Sequence, residues 1–256
     1  MNRLFKKIGG ALAHYLNKCS RKYEPFSVSD PATLRHVLRP GDVLLVEGNR
    51  RISVAIKYVT QSTWSHAALY VGDALAGSEE GVCSDMLVES DLSEGVIAAP
   101  LSKYEHFNTR ICRAVGLTDG DRRQVVQFVI DRLGSAYDLK NVLDLLRYLL
   151  PTPPVPVRWR RHLLALGSGD PTRAICSTLI AQAFQSVGYP ILPQISVEKT
   201  RSPADCTSVE REILHIRHHR LFTPRDFDVS SYFQVIKPTL EAGFDYKALT
   251  WYKAQK

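Results

Sequence analysis

Arg173-Ala174-Ile175-Cys176-Ser177-Thr178-Leu179-Ile180-Ala181-Gln182-Ala183-Phe184 reads as the start of a buried helix with a cysteine in its first turn. Ile175, Leu179, Ile180, Ala183, Phe184 and Val187 recur at helical spacing and give one broad apolar face. Asp170-Pro171-Thr172 is a start signal, and Gly188 followed by Tyr189-Pro190 is a stop. Unpaired backbone N–H groups and the helix dipole at an N-terminus favour a thiolate over a thiol. A cysteine placed there is a candidate nucleophile, although a small buried thiol is the more ordinary reading of a single cysteine. The rest of the chain has to decide between the two.

A thiolate nucleophile needs a base, a group that orients the base, and an oxyanion donor. Trp64-Ser65-His66-Ala67-Ala68-Leu69-Tyr70-Val71-Gly72-Asp73 reads as a strand closed by a Gly-Asp turn, with His66 at its beginning. A second strand is expected at Met86-Leu87-Val88-Glu89-Ser90. If the two pair as a hairpin, His66 and Glu89 can share a face, and the carboxylate would fix the imidazole tautomer and favour its charged form. A satisfied core histidine and an outward-facing glutamate are the alternatives at these two positions.

Working outward, Pro31 to Leu38 looks like a short helix, Arg39-Pro40-Gly41-Asp42 a turn, and Val43-Leu44-Leu45-Val46 a buried strand. Ile52 to Val59 has helical spacing. Further strands are expected near Gly95 to Ala99, at Arg110 to Val115 and at Tyr232 to Ile236. Asp119 to Leu133 is an amphipathic helix ended by Gly134, and Val142 to Leu150 a second one. One helix-forming segment at the front, strands at hairpin spacing and helices grouped apart from them predict an α+β fold, an antiparallel sheet packed against helices. Beyond Gly188, Leu192-Pro193 and residues 201–205 read as loop, and Thr223 to Phe227 as a turn into a short helix.

Pro151 to Pro156 can be neither helix nor central strand. With Arg158-Trp159-Arg160-Arg161-His162 it forms a Pro/Arg-rich insertion at about 150–169, either a lid or lipid-contacting segment or a solvated loop. Residues 1–30 are expected to hold a basic amphipathic helix and a link, residues 31–238 the folded domain, and residues 239–256 a tail. In the first of these, Leu4, Phe5, Ile8, Leu12, Tyr15 and Leu16 make the apolar stripe, suited either to an anionic membrane surface or to packing on the domain.

Composition narrows the classes. The 256 residues carry a net charge of +7, with 45% hydrophobic and 23% charged residues, as in an ordinary globular chain. No arginine-rich repeat or zinc-finger spacing is present, so a nucleic-acid partner is not expected. The five cysteines, Cys19, Cys83, Cys112, Cys176 and Cys206, are odd in number and widely spaced, which argues against a disulfide framework and for a reducing compartment. No run of about 18 apolar residues and no cleavable signal is seen. The expected location is cytoplasmic, or peripheral on the inner face of a membrane. Ile213 to Arg220 is His-rich, but His215 and His219 could share a metal only on a helix, so neither a metal nor a cofactor is expected.

Taken in order, Leu38 to Leu45 with its Pro-Gly-Asp, Ser65 to Asp73, Val88-Glu89-Ser90 with Gly95-Val96, Gly134-Ser135-Ala136-Tyr137-Asp138 and Ile175-Cys176-Ser177-Thr178-Leu179 resemble the circularly permuted NlpC-like cysteine hydrolases of the YiiX/YebB type. The resemblance covers roughly residues 36–236. It implies a permuted papain-like (NlpC-type) fold in which the histidine strand precedes the cysteine helix. It implies Cys176 as nucleophile, His66 as general base and acid, Glu89 as the third polar residue and Tyr137 as an oxyanion or supporting residue. Two departures stand out. Ile175 replaces the aspartate that usually precedes the cysteine and Thr178 the usual glycine, and the insertion before Cys176 lies outside the minimal domain. The expected activity is hydrolysis of an amide or ester through a thioester, on a small-molecule, lipid or peptide substrate. A wall-peptide endopeptidase, an acyltransferase, an inactive binding module and a metallohydrolase built on the His-rich segment are the competing expectations.

Overall fold

A computed structural model describes residues 18, 30–75, 84–91, 94–135, 175–201, 208–248 and 250. The N-terminal helix, the helix expected at 142–150, Tyr137 and the insertion at about 150–169 lie outside the described residues. So does the helix start signal at Asp170 to Thr172.

Six strands form one antiparallel sheet: β1 (Val43–Val46), β2 (His66–Gly72), β3 (Met86–Asp91), β4 (Gly95–Pro100), β5 (Thr109–Ala114) and β8 (Phe233–Ile236). Their order is β4-β3-β2-β1-β5-β8. Helices α1 (Pro31–Val37) and α2 (Arg51–Thr60) flank β1 in sequence, and α3 (Asp119–Ile130) follows β5. Helix α4 (Ile175–Ser186) carries the cysteine, and α5 (Pro224–Val229) and α6 (Pro238–Glu241) flank β8. Strands β6 (Gln194–Arg201) and β7 (Ser208–His215) make a separate two-stranded hairpin.

The sheet is covered on both faces, which explains why all four residues of β1 are buried although antiparallel sheets often leave one face to water. Side chains of alternate residues point to opposite faces. On one face Val43, Leu45, Ala67, Leu69, Val71 and Val88 meet Val125, Val126 and Val129 of α3 and Leu179, Ile180, Ala183 and Phe184 of α4. On the other, Leu44, Val46, Ala68, Tyr70, Leu87 and Ile111 meet Leu34 of α1, Leu38, Leu101 and Tyr104.

Local chemistry sets the element ends. Asp30 caps α1 by accepting from Thr33 N (3.0 Å), and Thr118 caps α3 by accepting from Asp121 N (3.1 Å). The Pro40-Gly41 turn needs the φ of +91° that Gly41 adopts, and Gly41 N donates to Tyr70 O (2.8 Å). Asp42 then accepts Arg113 Nε at 2.8 Å and Nη2 at 2.7 Å, a two-point clamp between the start of β1 and β5. Past the end of α3, Gly134 N donates to Val96 O (2.9 Å) and Ser135 O accepts Val96 N (3.1 Å), tying this corner to β4.

The α+β class and the main sheet agree with the expectation from sequence. The β6–β7 hairpin departs from it: the sequence predicts loop at Arg201 and no strand in the rest, because its strands lack a continuous apolar run and are bordered by Pro193 and Pro203. The His-rich segment is not helical either. His215 ends β7 and His219 begins a 3-10 turn (His219–Leu221), so the spacing required for a shared metal is absent. Among the described residues no group of three or more His, Cys, Asp or Glu is placed to hold a metal ion, and no helix is long and apolar enough to cross a membrane.

Candidate active site

His66 opens β2 and Glu89 lies in β3. Strand alternation puts His66 on the face of Ala68 and Tyr70, and Glu89 on the face of Leu87, which is the same face. The two meet there, with His66 Nε2 2.8 Å from Glu89 Oε2. Glu89 is 1% exposed, whereas the His66 side chain keeps 23%. The carboxylate is therefore a buried support and the imidazole the group that reaches the surface.

A buried carboxylate must have its oxygens satisfied. The 3-10 turn Leu101–Tyr104 that follows β4 supplies the remaining partners. Lys103 Nζ donates to Glu89 Oε1 and the Tyr104 hydroxyl donates to Glu89 Oε2. Leu101 and Tyr104 are anchored in the core on this face, so the turn holds Lys103 in place. The Tyr104 ring also lies 5.9 Å from the His66 ring, tilted by 39°.

Cys176 sits in the first turn of α4 and is buried. It lies beside His66, and each shifts the other's titration in the sense of an attractive pair. Glu89 occupies Nε2, which leaves Nδ1 for the thiol. The backbone N–H of Ala67 also acts on the sulfur to lower the thiol. Tyr70 N bonds Asp42 O on the β1 side, so alternation turns the N–H of Ala67 toward β3. The β2–β3 register begins only at Leu69↔Val88, so this N–H lies outside the paired stretch. Ser177 Oγ lies 4.0 Å from Cys176 Sγ.

The electrostatics follow from this packing. Burial alone would raise the Cys176 thiol, but the adjacent His66 and the Ala67 N–H hold it below its ordinary value of 9.0. Burial alone would lower His66, but the negative Cys176 and Glu89 on its two sides raise it from 6.5 to about 10. Burial alone would raise Glu89, and His66 and Lys103 outweigh it and hold the carboxyl well below the ordinary range. The packing thus shifts the pair toward thiolate and imidazolium, backed by a carboxylate held in its ionised form.

Neighbouring contacts brace the start of β2. Trp64 Nε1 donates to Asp228 Oδ2 (3.1 Å), Arg110 donates to Asp228 Oδ1 (2.6 Å), and the Arg110 guanidinium lies 4.9 Å from the centre of the Trp64 ring. Gly48 N donates to Ser65 Oγ (2.9 Å), and a Cβ on Gly48 would lie 2.4 Å from Ser53 Oγ, so the backbone approaches closely here.

The structure places Cys176, His66 and Glu89 next to one another. Tyr137 lies outside the described residues. Sequence reasoning missed Lys103, Tyr104 and the Ala67 N–H. The only available signal was a lysine and tyrosine within a few residues of the strand that pairs with the Glu89 strand, and that pattern is common on solvated turns.

A histidine strand and its glutamate strand precede a cysteine helix, on an antiparallel sheet packed against helices. A family model described as "Permuted papain-like amidase enzyme, YaeF/YiiX, C92 family" matches residues 37–148. The crystal structure of metalloprotein yiiX from Escherichia coli O157:H7 is similar at 15% identity, with a TM-score of 0.44, over 78% of this chain and 96% of that one. No curated protein matches. Over residues 37–148 the family model bears out the resemblance to YiiX-type permuted papain-like proteins and supports a hydrolase. That match contains His66, Glu89, Lys103 and Tyr104 and ends before Cys176, so the case for the cysteine rests on the site geometry.

Proposed function

We propose that this chain is a cysteine hydrolase that cleaves an amide or ester bond through a thioester on Cys176. The observation that carries the reading is His66 bonded to Glu89 at 2.8 Å and placed beside the Cys176 thiol, close enough for their charges to act on one another. The Cys176 thiolate attacks the substrate carbonyl carbon. The tetrahedral intermediate collapses, the bond to nitrogen or oxygen breaks, and His66 gives its proton to the leaving group. Water then attacks the thioester and gives a proton to His66, the carbon–sulfur bond breaks, and the thiolate–imidazolium pair is restored. Glu89 keeps the ring oriented throughout and stabilises its charge whenever it is protonated. The backbone N–H of Cys176 is assigned to the oxyanion, as a donor at the open end of a helix. Tyr137 is assigned an assisting role on the family resemblance alone.

The preferred substrate class is a lipid-linked or acylated amide or ester presented at an anionic membrane surface. Support comes from the basic amphipathic sequence of residues 1–20 and the cationic stretch around Arg158 to Arg161. Transfer of the acyl group to a second nucleophile instead of water uses the same first half-reaction.

Iodoacetamide at pH 7 tests the site without knowledge of the substrate. Cys176 should be alkylated at least about tenfold faster than Cys112, which burial pushes up to about 12. His66→Ala should remove that advantage. Equal alkylation of all five cysteines, unchanged by His66→Ala, would sink the enzyme reading and leave a papain-like binding module. A screen of lipid amides, acyl esters and wall-derived peptides, with mass spectrometry for acylated Cys176, would then identify the substrate.

A further inference from the structure

We propose that Lys103 is a positioning residue that offsets the charge of Glu89, so that His66 can be neutral when the acyl-enzyme must be hydrolysed. The inference rests on the thiol-hydrolase reading above and concerns its second half. In the resting site His66 lies between two negative groups, Cys176 from α4 and Glu89 from β3. Once the sulfur is acylated it is neutral, and the His66 proton has left with the leaving group. Water attack now requires His66 to accept a proton, and a general base works best when its pKa lies near the working pH.

Glu89 opposes that requirement. A carboxylate 1% exposed and 2.8 Å from Nε2 would keep the ring charged. Lys103 and Tyr104 change the balance, one donor to each carboxylate oxygen, so that Glu89 is shared among three partners. Lys103 contributes a positive charge on the far side of the carboxylate, with its side chain 31% exposed. The other charged pair nearby is Arg50, whose field reaches Tyr104 and which pairs with Asp91 at 3.2 Å. Lys103 alone among these cations bonds the carboxylate that bonds His66.

The test is the titration of His66, followed by NMR of its ring in a Cys176→Ala background, which removes the sulfur charge as acylation does. Lys103→Met and Lys103→Gln should each raise the His66 midpoint by about one pH unit, the direction expected when a nearby positive charge is removed. Lys103→Arg should keep it near the parent value. An unchanged or lowered midpoint in both neutral variants would overturn the proposal, because a merely structural lysine would not move it in this direction. Two neutral variants guard against misfolding of one. Failure of the underlying reading looks different: Cys176 of the otherwise native chain would alkylate no faster than Cys112, whatever stands at position 103.

Discussion

Cys112 and Cys176 are both buried, yet their surroundings push them in opposite directions. Cys112 lies in β5 inside an apolar face and is raised, while Cys176 has an imidazole and a backbone N–H against its sulfur. The pair it forms with His66 makes a prediction about stability. His66, raised to about 10, contributes stability that is complete below its ordinary 6.5 and is lost as pH climbs through about 10. Cys176, lowered, contributes stability that is present above its ordinary 9.0 and is lost as pH falls toward its folded value. Between 6.5 and 9.0 the unfolded chain holds one proton on the two groups, as does a folded pair of thiolate and imidazolium. The stability difference between wild type and a Cys176→Ala/His66→Gln variant should be level across that window and shrink on either side. Denaturant midpoints measured at a series of pH values check this, and a difference that climbs steadily through the window would argue against an ionised pair. Cys176, His66 and Glu89 were legible in the sequence because residue type and order carry the chemistry. The burial of Glu89 and its bonds to Lys103 and Tyr104 were not, because they depend on how a turn folds back over the sheet.

Helix α4 does two jobs, packing its apolar stripe on the sheet and presenting the thiol. Phe184 is fully buried and meets Phe233 edge-on at 5.1 Å and Tyr189 at 5.6 Å. Phe184→Ala should cost about 3–5 kcal/mol of unfolding free energy, measurable by urea denaturation. A loss below about 1 kcal/mol would mean that the helix is not seated as described. This helix was readable from sequence because six apolar residues recur at one period. The β6–β7 hairpin was not, since Glu198-Lys199 and Glu210-Arg211 interrupt its apolar residues and its pairing is with itself alone.

Across the whole molecule, the six-stranded sheet is held at its centre by the clamp between Asp42, 2% exposed, and Arg113. Arg113→Leu would leave a buried carboxylate without its cation and should cost about 3–5 kcal/mol. Calorimetry would show the loss, and Asp42→Asn in the same chain should return part of it. The α+β class was visible in advance because the strands follow one another at hairpin spacing, whereas the covering of both sheet faces was not, since one covering layer is assembled from the short segments around Leu34, Leu101 and Tyr104. The order of the site along the chain has its own consequence. His66, Glu89, Lys103 and Tyr104 all precede Cys176, and a ribosome releases a chain from its N-terminus. The charged cradle can thus be assembled before the nucleophile has been synthesised. A nascent chain halted ahead of α4 carries no activated sulfur at this site and cannot be trapped there by a stray electrophile. Reactivity at this site therefore has to wait until synthesis has passed Cys176.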